Sequence, residues 1–327
     1  MKRTSLWIIV LLSFVVVSFA GTLEAAEKKY TIVTIPKVHG SNWSQRIDSG
    51  VKRFAQDTGH NAFMQGPARM DVVLQVQIVE DMIAQKVDAL CVIPFSPEAL
   101  EPVFKKAMDQ GIIVITHEAD NQINMHYDIE AFDNAAYGIH LMDAMAKGMN
   151  QEGEYAIMVG SLTSKTHNQW ADAAHEHQKK TYPKMTMVGG GKIETTQIAY
   201  DKAKELLKAF PNLKGIQGSD ASDAPNSGLA VEELGLEDKV TVVGTALVSQ
   251  SRPYLDSGAV KMISFWDPGE AAYIMNKVAV MLLDKQEVKD GMDLGVTGYN
   301  NVKVNGKLII GNAWIDVTKE NMDKYDF

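Results

Sequence analysis

The sequence of 327 residues is poor in cysteine, in basic charge and in long apolar runs. Each shortage argues against one kind of structure or partner. The single cysteine, Cys91, excludes an intramolecular disulfide, and we expect it to be a buried structural thiol. Lys and Arg number 32 against 41 Asp and Glu, so the net charge of −9 argues against nucleic acid or an anionic membrane as a partner. After Ala20, no apolar run is long enough to span a bilayer.

The motifs that carry metal or covalent chemistry are also missing. His175 and His177 are two residues apart on a predicted helix, where they point to different sides and cannot easily chelate one ion. Gly189–Gly191 follows a strand but lacks the spaced glycines and the helix of a dinucleotide site. No G-x-S-x-G nucleophile elbow is present. We therefore expect no metal, no cofactor and no catalytic residues.

The N-terminus has the composition of a secretory signal peptide, which we assign to residues 1–26. Lys2 and Arg3 form a basic start, Leu6–Phe19 is an apolar core, and Ala20 offers a small residue for cleavage. Cleavage after Ala20 or after Ala26 fits equally well, and a retained membrane anchor is the alternative. Because no cysteine lies near the cut, a lipid anchor is not expected, and we predict a periplasmic location.

The stretch from Val87 to Asp120 reads as strand, helix and strand. Ala89–Ile93 and Ile112–Thr116 are short apolar runs, and the segment between them opens at Ser96-Pro97 and closes at Gly111. Near-continuous apolar strands joined by a helix predict a right-handed parallel βαβ unit that is buried on both faces. The pattern begins again after Gly153. Length and pattern together predict an α/β protein with two similar halves.

Polar and aromatic side chains follow the ends of the predicted strands in both halves. In an open α/β sheet, ligands bind outside the carboxyl ends of the strands. A sugar needs planar polar groups for its hydroxyls and an aromatic ring for its apolar face. The candidate ligand-binding residues are Lys37, His39, Asn42, Trp43, His117, Glu118, Asp120, Thr166, His167, Asn168, Gln169, Asp220, Ala221, Trp266 and Asp267.

Several of these residues have an equally simple structural interpretation. Trp43 could pack in the core, His39 could lie in an exposed loop, and Asp220 could cap a helix. Glu118 and Asp120 could cap the following segment. We favour Glu118 as the ligand acceptor because it follows the strand most closely.

The order of the motifs resembles the type I periplasmic solute-binding proteins of the ribose-binding kind. Within that family the sequence is most similar to the autoinducer-2-binding and rhamnose-binding proteins. The matching segments are Ala89–Asp120 with the preceding Asp88, Ile35-Pro36-Lys37, Asn168-Gln169-Trp170, Arg252-Pro253-Tyr254, Trp266-Asp267 and Asn321–Phe327. The resemblance supports Lys37 and Asp267 as ligand contacts.

The resemblance implies two Rossmann-like, doubly wound lobes joined by three hinge crossings, with a ligand held in the cleft between them. We assign residues 27–130 and 249–284 to the N-terminal lobe, and residues 131–248 and 285–327 to the C-terminal lobe. A member of this family would deliver a sugar or polyol to the permease of an ABC transporter. We expect a monomer, and a chemoreceptor is a further candidate partner.

The sequence departs from the autoinducer-2 proteins at three candidate positions. Thr166-His167 stands where they carry Asp-Gln, Glu118 stands where they carry aspartate, and Ser219 stands where they carry proline. A buried ligand group left without a partner costs about 1–3 kcal/mol. We therefore predict a sugar or polyol ligand, with an autoinducer-2 receptor for uptake or chemotaxis as the alternative. A secreted carbohydrate-acting enzyme, with Glu118 and Asp267 as its carboxylate pair, is the remote alternative.

Overall fold

The structure is a computed structural model that describes residues 28–196 and 198–327. The predicted signal peptide, residues 1–26, lies outside the described residues. The elements in chain order are β1 (Thr31–Ile35), α1 (Asn42–Thr58), β2 (Asn61–Met64), α2 (Val72–Ala84), β3 (Ala89–Val92), α3 (Pro97–Asp109), β4 (Ile113–His117), β5 (Tyr127–Glu130), α4 (Asn134–Gly148), β6 (Gly153–Val159), α5 (Lys165–Thr181), β7 (Met185–Met187), β8 (Ile193–Glu194), α6 (Ala199–Ala209), β9 (Leu213–Gly218), α7 (Asp223–Glu233), β10 (Thr241–Thr245), α8 (Val248–Ser257), β11 (Met262–Phe265), α9 (Pro268–Leu283), β12 (Lys303–Asn305), β13 (Leu308–Ile310), β14 (Ile315–Val317) and a short 3₁₀ helix (Met322–Lys324).

Two sheets with helices on their faces form two lobes, and this confirms the predicted α/β fold class. The first sheet has the strand order β12-β13-β5-β4-β3-β1-β2, and the second has the order β14-β11-β10-β9-β6-β7. The central pairings are parallel, as the apolar runs predicted; β3, for example, pairs with β4 from Ala89 opposite Ile113 onward. Strand β8 pairs with β6 beside the second sheet.

Local sequence signals explain where the helices begin. The Asp71 carboxylate accepts hydrogen bonds from the Val73 and Leu74 backbone N–H groups, so it caps α2. Helix α3 starts at Pro97, whose missing N–H costs nothing in the first turn. Among the described residues, no helix is long and apolar enough to cross a membrane.

The chain passes between the two sheets three times. The crossings lie between β5 and α4, between β11 and α9, and between β13 and β14. Each crossing carries one aromatic residue: Phe132, Trp266 and Trp314, respectively. The Phe132 ring centroid lies 5.4 Å from that of Trp266 and 5.6 Å from that of Trp314. The three crossings are therefore packed side by side.

The sheet pairings differ from the predicted division of the chain in two segments. Residues 249–265 were assigned to the first lobe, but β11 pairs with β10, with Val243 opposite Met262. Residues 285–310 were assigned to the second lobe, but β13 pairs with β5, with Ile309 opposite Ile129. Helix α9 does pack on α1 of the first lobe, as predicted. The prediction was wrong for those two segments because the local apolar pattern of a strand does not specify its partner.

Candidate functional site

A cleft of about 420 Å³ lies between the lobes, at the carboxyl ends of strands from both sheets. A cleft of this size has room for a small ligand such as a monosaccharide. Eight of the predicted residues line it: Lys37, His39, Trp43, Glu118, His167, Asp220, Ala221 and Trp266. The end of each sheet thus contributes one wall, as expected for ligand sites of α/β folds.

Lys37 and Glu118 form a buried ion pair on the first-lobe wall. Their side chains are only 13% and 6% exposed, and the ammonium contacts Glu118 Oε2. Burial by itself raises the pKa of Glu118, but the Lys37 charge, with His117 and His167, lowers it to about 2. Glu118 is therefore a carboxylate at all physiological pH values.

The backbone at Glu118 explains how this side chain reaches the cleft. Its φ of +59° is a left-handed conformation that residues other than glycine adopt at a cost, and such strain concentrates at binding sites. The turn comes directly after β4. From the second lobe, Thr166 Oγ1 donates to Glu118 Oε2 at 3.3 Å. Glu118 thus connects the two walls.

His117 does not line the cleft but contacts Trp266, which does. Its Nδ1 contacts the Ile129 carbonyl oxygen, and its Nε2 lies 3.1 Å from Trp266 Nε1. Because the indole can only donate, Nε2 must accept and Nδ1 must carry the proton. Burial lowers the pKa of His117, which agrees with this neutral form. His117 therefore fixes the orientation of Trp266.

The second-lobe wall presents His167 and Asp220. His167 Nδ1 lies 3.3 Å from the Gly160 backbone nitrogen and can only accept there, so Nε2 carries the ring proton. Burial, and then the Lys37 charge, lower the pKa of His167 to about 4. Asp220 Oδ1 accepts from the backbone N–H and the hydroxyl of Ser222. This wall therefore offers a neutral N–H donor beside a carboxylate.

Three tryptophans from different parts of the chain surround the cleft. Trp43 meets Trp266 edge to face at 4.8 Å between ring centroids, and Trp266 lies 5.8 Å from Trp170. Trp170 is 1% exposed and donates from Nε1 to Asn134 Oδ1 at 2.7 Å. Trp170 is not among the candidate residues predicted from the sequence. Its position could have identified it, because Trp170 lies in α5 one helical turn after the predicted residue Thr166 and therefore on the same face.

Four predicted residues lie near the cleft but use their polar atoms elsewhere. Gln169 of the second lobe donates to Asp120 of the first, and Thr166 bonds Glu118 as described. The Asn168 amide donates to the carbonyl oxygens of Ser161 and Ser164, where α5 begins. The first two pairs hold the lobes against each other, whereas Asn168 stabilises a helix start.

Asp267 and Asn42 are also outside the cleft lining. Both Asp267 oxygens bind Arg46, with Nε to Oδ1 at 2.8 Å, and Oδ1 also accepts from the Gly269 backbone at the start of α9. Asn42 makes a long contact of 3.4 Å to Ser249 across the lobes. Asp267 therefore acts as a helix cap and an ion-pair partner in this arrangement.

Two further residues line the cleft with polar atoms that have no hydrogen-bond partner among the described residues. These are Ser219 Oγ and Gln250 Oε1. Buried polar atoms are normally satisfied, so groups of this kind in a cleft indicate places for ligand atoms or water. Ser219 was noted only as a departure from relatives, and Gln250 was not singled out, although it lies in the first turn of α8, five residues after β10. The other lining residues that the sequence analysis missed include Met70, Ala68, Ile93 and Thr245.

No group of three or more His, Cys, Asp or Glu side chains within the described ranges is arranged to hold a metal ion. His177 instead contacts Asp143, and His175 contacts the Tyr155 hydroxyl.

Comparison with known proteins agrees with this architecture. Residues 32–287 match the family described as periplasmic binding protein domain. The D-ribose/D-allose-binding protein of Pseudomonas aeruginosa is 26% identical over 237 residues, which cover 68% of this chain and 72% of the relative. A structure titled LsrB from Clostridium saccharobutylicum in complex with AI-2 has a TM-score of 0.83 at 19% identity, covering 91% of this chain and all of that one.

A solute-binding protein from Clostridium phytofermentas with bound L-rhamnose has a TM-score of 0.84 at 21% identity, covering 91% of this chain and 98% of the other. At these identities the structural likeness establishes the fold. The resemblance predicted from the sequence motifs is thus confirmed, and the proteins of the family are solute-binding transport proteins.

Proposed function

The chain belongs to the periplasmic binding protein domain family, and from that premise we propose that it binds a sugar or polyol for an ABC importer. The observation that carries the proposal is the composition of the cleft. Three tryptophans and a set of buried polar groups from both lobes face one volume of monosaccharide size.

The polar groups match the needs of a polyol. Glu118 and Asp220 supply acceptors, Lys37 and the His167 Nε2 proton supply donors, and the Ser219 hydroxyl can do both. The partly exposed Trp43 ring supplies apolar surface for the C–H face of a sugar, and the buried Trp266 packs against its edge. Each hydroxyl of a ligand can therefore find a partner without leaving a buried group unpaired.

The charges of the cleft favour an uncharged ligand. Lys37 is compensated by Glu118, and His167 is neutral at physiological pH because its pKa is about 4. Asp220 adds a negative charge at the second-lobe wall. Among the described residues that line the cleft, Lys37 is the Lys or Arg side chain and it is paired with Glu118, so a carboxylate or phosphate would lie close to Glu118 and Asp220 and be disfavoured by like-charge repulsion.

Binding is proposed to stabilise the closed arrangement of the lobes. Glu118 with Thr166, and Asp120 with Gln169, already join the walls. A ligand that contacts Lys37 on one side and Asp220 on the other gains affinity only when the walls are close, which is the requirement for ligand-driven closure. The closed form would present both lobes to the permease in the periplasm, after removal of residues 1–26 as a signal peptide. A chemoreceptor is a second candidate partner for the same form.

A sugar is preferred over autoinducer-2 as the ligand. Of Thr166 and His167, which stand where the autoinducer-2 proteins carry Asp-Gln, only His167 lines the cleft. The Thr166 hydroxyl donates to Glu118, and His167 offers a ligand its Nε2 proton. The likeness to the AI-2 complex concerns the fold, and autoinducer-2 remains the second candidate for the same cleft.

Isothermal titration calorimetry with L-rhamnose, D-ribose, D-xylose and autoinducer-2 tests the proposal. We expect at least one sugar to bind with saturable heat and to raise the melting temperature as its concentration rises. Tight binding of autoinducer-2 without sugar binding would assign the cleft to the signal molecule instead. Overnight incubation with each sugar followed by NMR should reveal no product; product formation would favour the enzyme alternative.

A further inference from the structure

The segment that joins β9 to α7 forms much of the second-lobe wall. Its residues Ser219, Asp220, Ala221 and Ser222 all line the cleft. The segment has only four residues, so the positions of its polar groups depend on what holds its backbone.

Asp223, the first residue of α7, is the side chain that holds this backbone. Its Oδ2 accepts from the Asp220 N–H at 2.9 Å and from the Ser219 N–H at 3.1 Å. The Ser219 N–H is shared with the Met158 carbonyl oxygen at 3.0 Å, whereas the Asp220 N–H has Asp223 as its partner. Asp223 itself is not among the residues that line the cleft, so its carboxyl group holds this segment without belonging to the lining.

This bonding pattern differs from that of a helix cap. A capping side chain accepts from N–H groups one to three residues after it, within the helix. Asp223 accepts from residues that precede it, and the cap position of α7 is occupied by Ser222, which makes no side-chain cap bond. The hydrogen bonds of Asp223 therefore serve the loop.

Gly218, the last residue of β9, allows the Asp223 side chain to lie against the end of the strand. A Cβ on Gly218 would lie 2.4 Å from the Asp223 Cβ, so the strand end and the side chain approach each other closely. Asp223 is fully buried, and within the described part of the chain it has no cationic partner. Its Oδ1 accepts no hydrogen bond of good geometry within the described residues, although the Thr195 hydroxyl, which donates to the Val159 carbonyl oxygen, lies close to the carboxyl group. An ionised carboxylate in such a place would be strongly disfavoured.

We propose that Asp223 is a positioning residue that sets the conformation of the Ser219–Ser222 segment and thereby the affinity of the cleft for its sugar. This inference rests on the proposed function for its ligand, but its structural part concerns the loop alone.

The charge environment predicts a pH signature for this role. Burial, and then the neighbouring Asp220 carboxylate, raise the pKa of Asp223 to about 8. Asp220 is the charged group beside it, and the neutral His167 faces Asp220 from α5. Ionisation of Asp223 would place a second negative charge beneath the same wall, so we expect sugar affinity to fall as the pH rises through about 8.

The test compares Asp223→Ala and Asp223→Asn with the unmodified protein. Asparagine keeps an acceptor oxygen and cannot ionise, whereas alanine removes the acceptor. Asp201→Ala is the matched control, because Asp201 is an exposed acidic residue in the first turn of α6, the helix next to α7. Titrations use whichever of L-rhamnose, D-ribose and D-xylose binds the unmodified protein best, between about pH 6 and pH 9.

We expect Asp223→Ala to weaken sugar binding about tenfold or more, as the loss of buried hydrogen bonds implies. Asp223→Asn should bind within a few-fold of the unmodified protein and should lose the decline near pH 8. Unchanged affinity in Asp223→Ala, or an identical pH profile in Asp223→Asn, would overturn the proposal.

Amide hydrogen exchange separates this inference from the proposed function. Protection of the Asp220 amide should drop in Asp223→Ala and persist in Asp223→Asn, without any sugar present, whereas the Ser219 amide keeps its bond to the Met158 carbonyl oxygen and should change less. If none of the sugars binds the unmodified protein, the ligand assignment fails, and the exchange pattern alone decides whether Asp223 positions the loop. If Asp223→Ala does not fold, Asp223→Asn decides: it must retain amide protection and lose the decline in affinity near pH 8. Equal protection in all variants would contradict the role of Asp223.

Discussion

Removal of the Lys37 ammonium should destabilise the protein in a way that depends strongly on pH. In Lys37→Met the buried Glu118 carboxylate loses the cation that it contacts, and breaking such a pair costs about 3–5 kcal/mol. The net lowering of the Glu118 pKa from 4.5 to about 2, in which Lys37 is the largest of the lowering effects, corresponds to about 3 kcal/mol. At about 2 °C per kcal/mol for a chain of this size, the melting temperature should fall by about 6 °C near neutral pH.

The direction of the pH effect distinguishes this explanation from a simple loss of packing. In the unmodified protein the pKa of Glu118 is below its value in the unfolded chain, so its contribution is complete above about pH 4.5 and is lost as the pH falls toward 2. In Lys37→Met the buried Glu118 has no cation, so its pKa rises above the unfolded value. The Glu118 contribution to the stability of that variant should be complete below about pH 4.5 and should be lost as the pH rises through the raised pKa.

Thermal melts at about pH 5 and pH 7.5 provide the assay. The difference between Lys37→Met and the unmodified protein should be larger at the higher pH, and Glu118→Gln added to Lys37→Met should recover most of it. Lys105→Met is the control, because its partner Asp109 is as exposed as Lys105 itself and such pairs contribute little. An equal loss at both pH values, or no recovery in the double variant, would refute charge compensation as the role of Lys37.

Three further outcomes follow from named contacts. Asp267→Ala should lower the melting temperature, since it removes the cap of α9, worth about 1 kcal/mol, together with the Arg46 pair; an unchanged melting point would contradict this role. Trp266→Phe should weaken sugar binding in calorimetry more than Trp314→Phe does, because Trp266 lines the cleft and packs against Trp43 whereas Trp314 does neither; the reverse order would argue against a role of Trp266 in the cleft wall. Gly50→Ala should destabilise by about 1–3 kcal/mol in chemical denaturation, because its Cβ would lie 2.0 Å from a backbone oxygen of α9, whereas Ser49→Ala on the same helix should be nearly neutral.

Most of the fold could be predicted because its signals are local. The strand-helix-strand pattern around Val87–Asp120 and the cap at Asp71 follow from residues close in sequence, and parallel strands bring their carboxyl ends to one edge. For the same reason the strand ends identified Lys37 and Glu118, which the structure brings together across 81 positions of sequence.

The failures of prediction concern contacts that no local pattern encodes. The partner strand of β11 and that of β13 are chosen by hydrogen bonds with segments distant in sequence. Asp267 stood at a strand end like Glu118, but Arg46, 221 positions earlier, binds its carboxylate. Gln250 reaches the cleft from a helix whose own sequence contains no sign of a site. The sequence therefore predicts which strand ends face the cleft better than it predicts which side chains at those ends are available to bind a ligand.

The aromatic residues at the three crossings constrain how the lobes can move. Phe132, Trp266 and Trp314 pack as one group, so a change in the angle between the lobes must rearrange their ring contacts. Closely packed groups resist gradual deformation and favour a few discrete arrangements. Only Trp266 of the three also lines the cleft, where His117 fixes its indole. A ligand that packs on Trp266 therefore acts on the group that joins all three crossings, and it favours one lobe arrangement by the difference in its contacts between them.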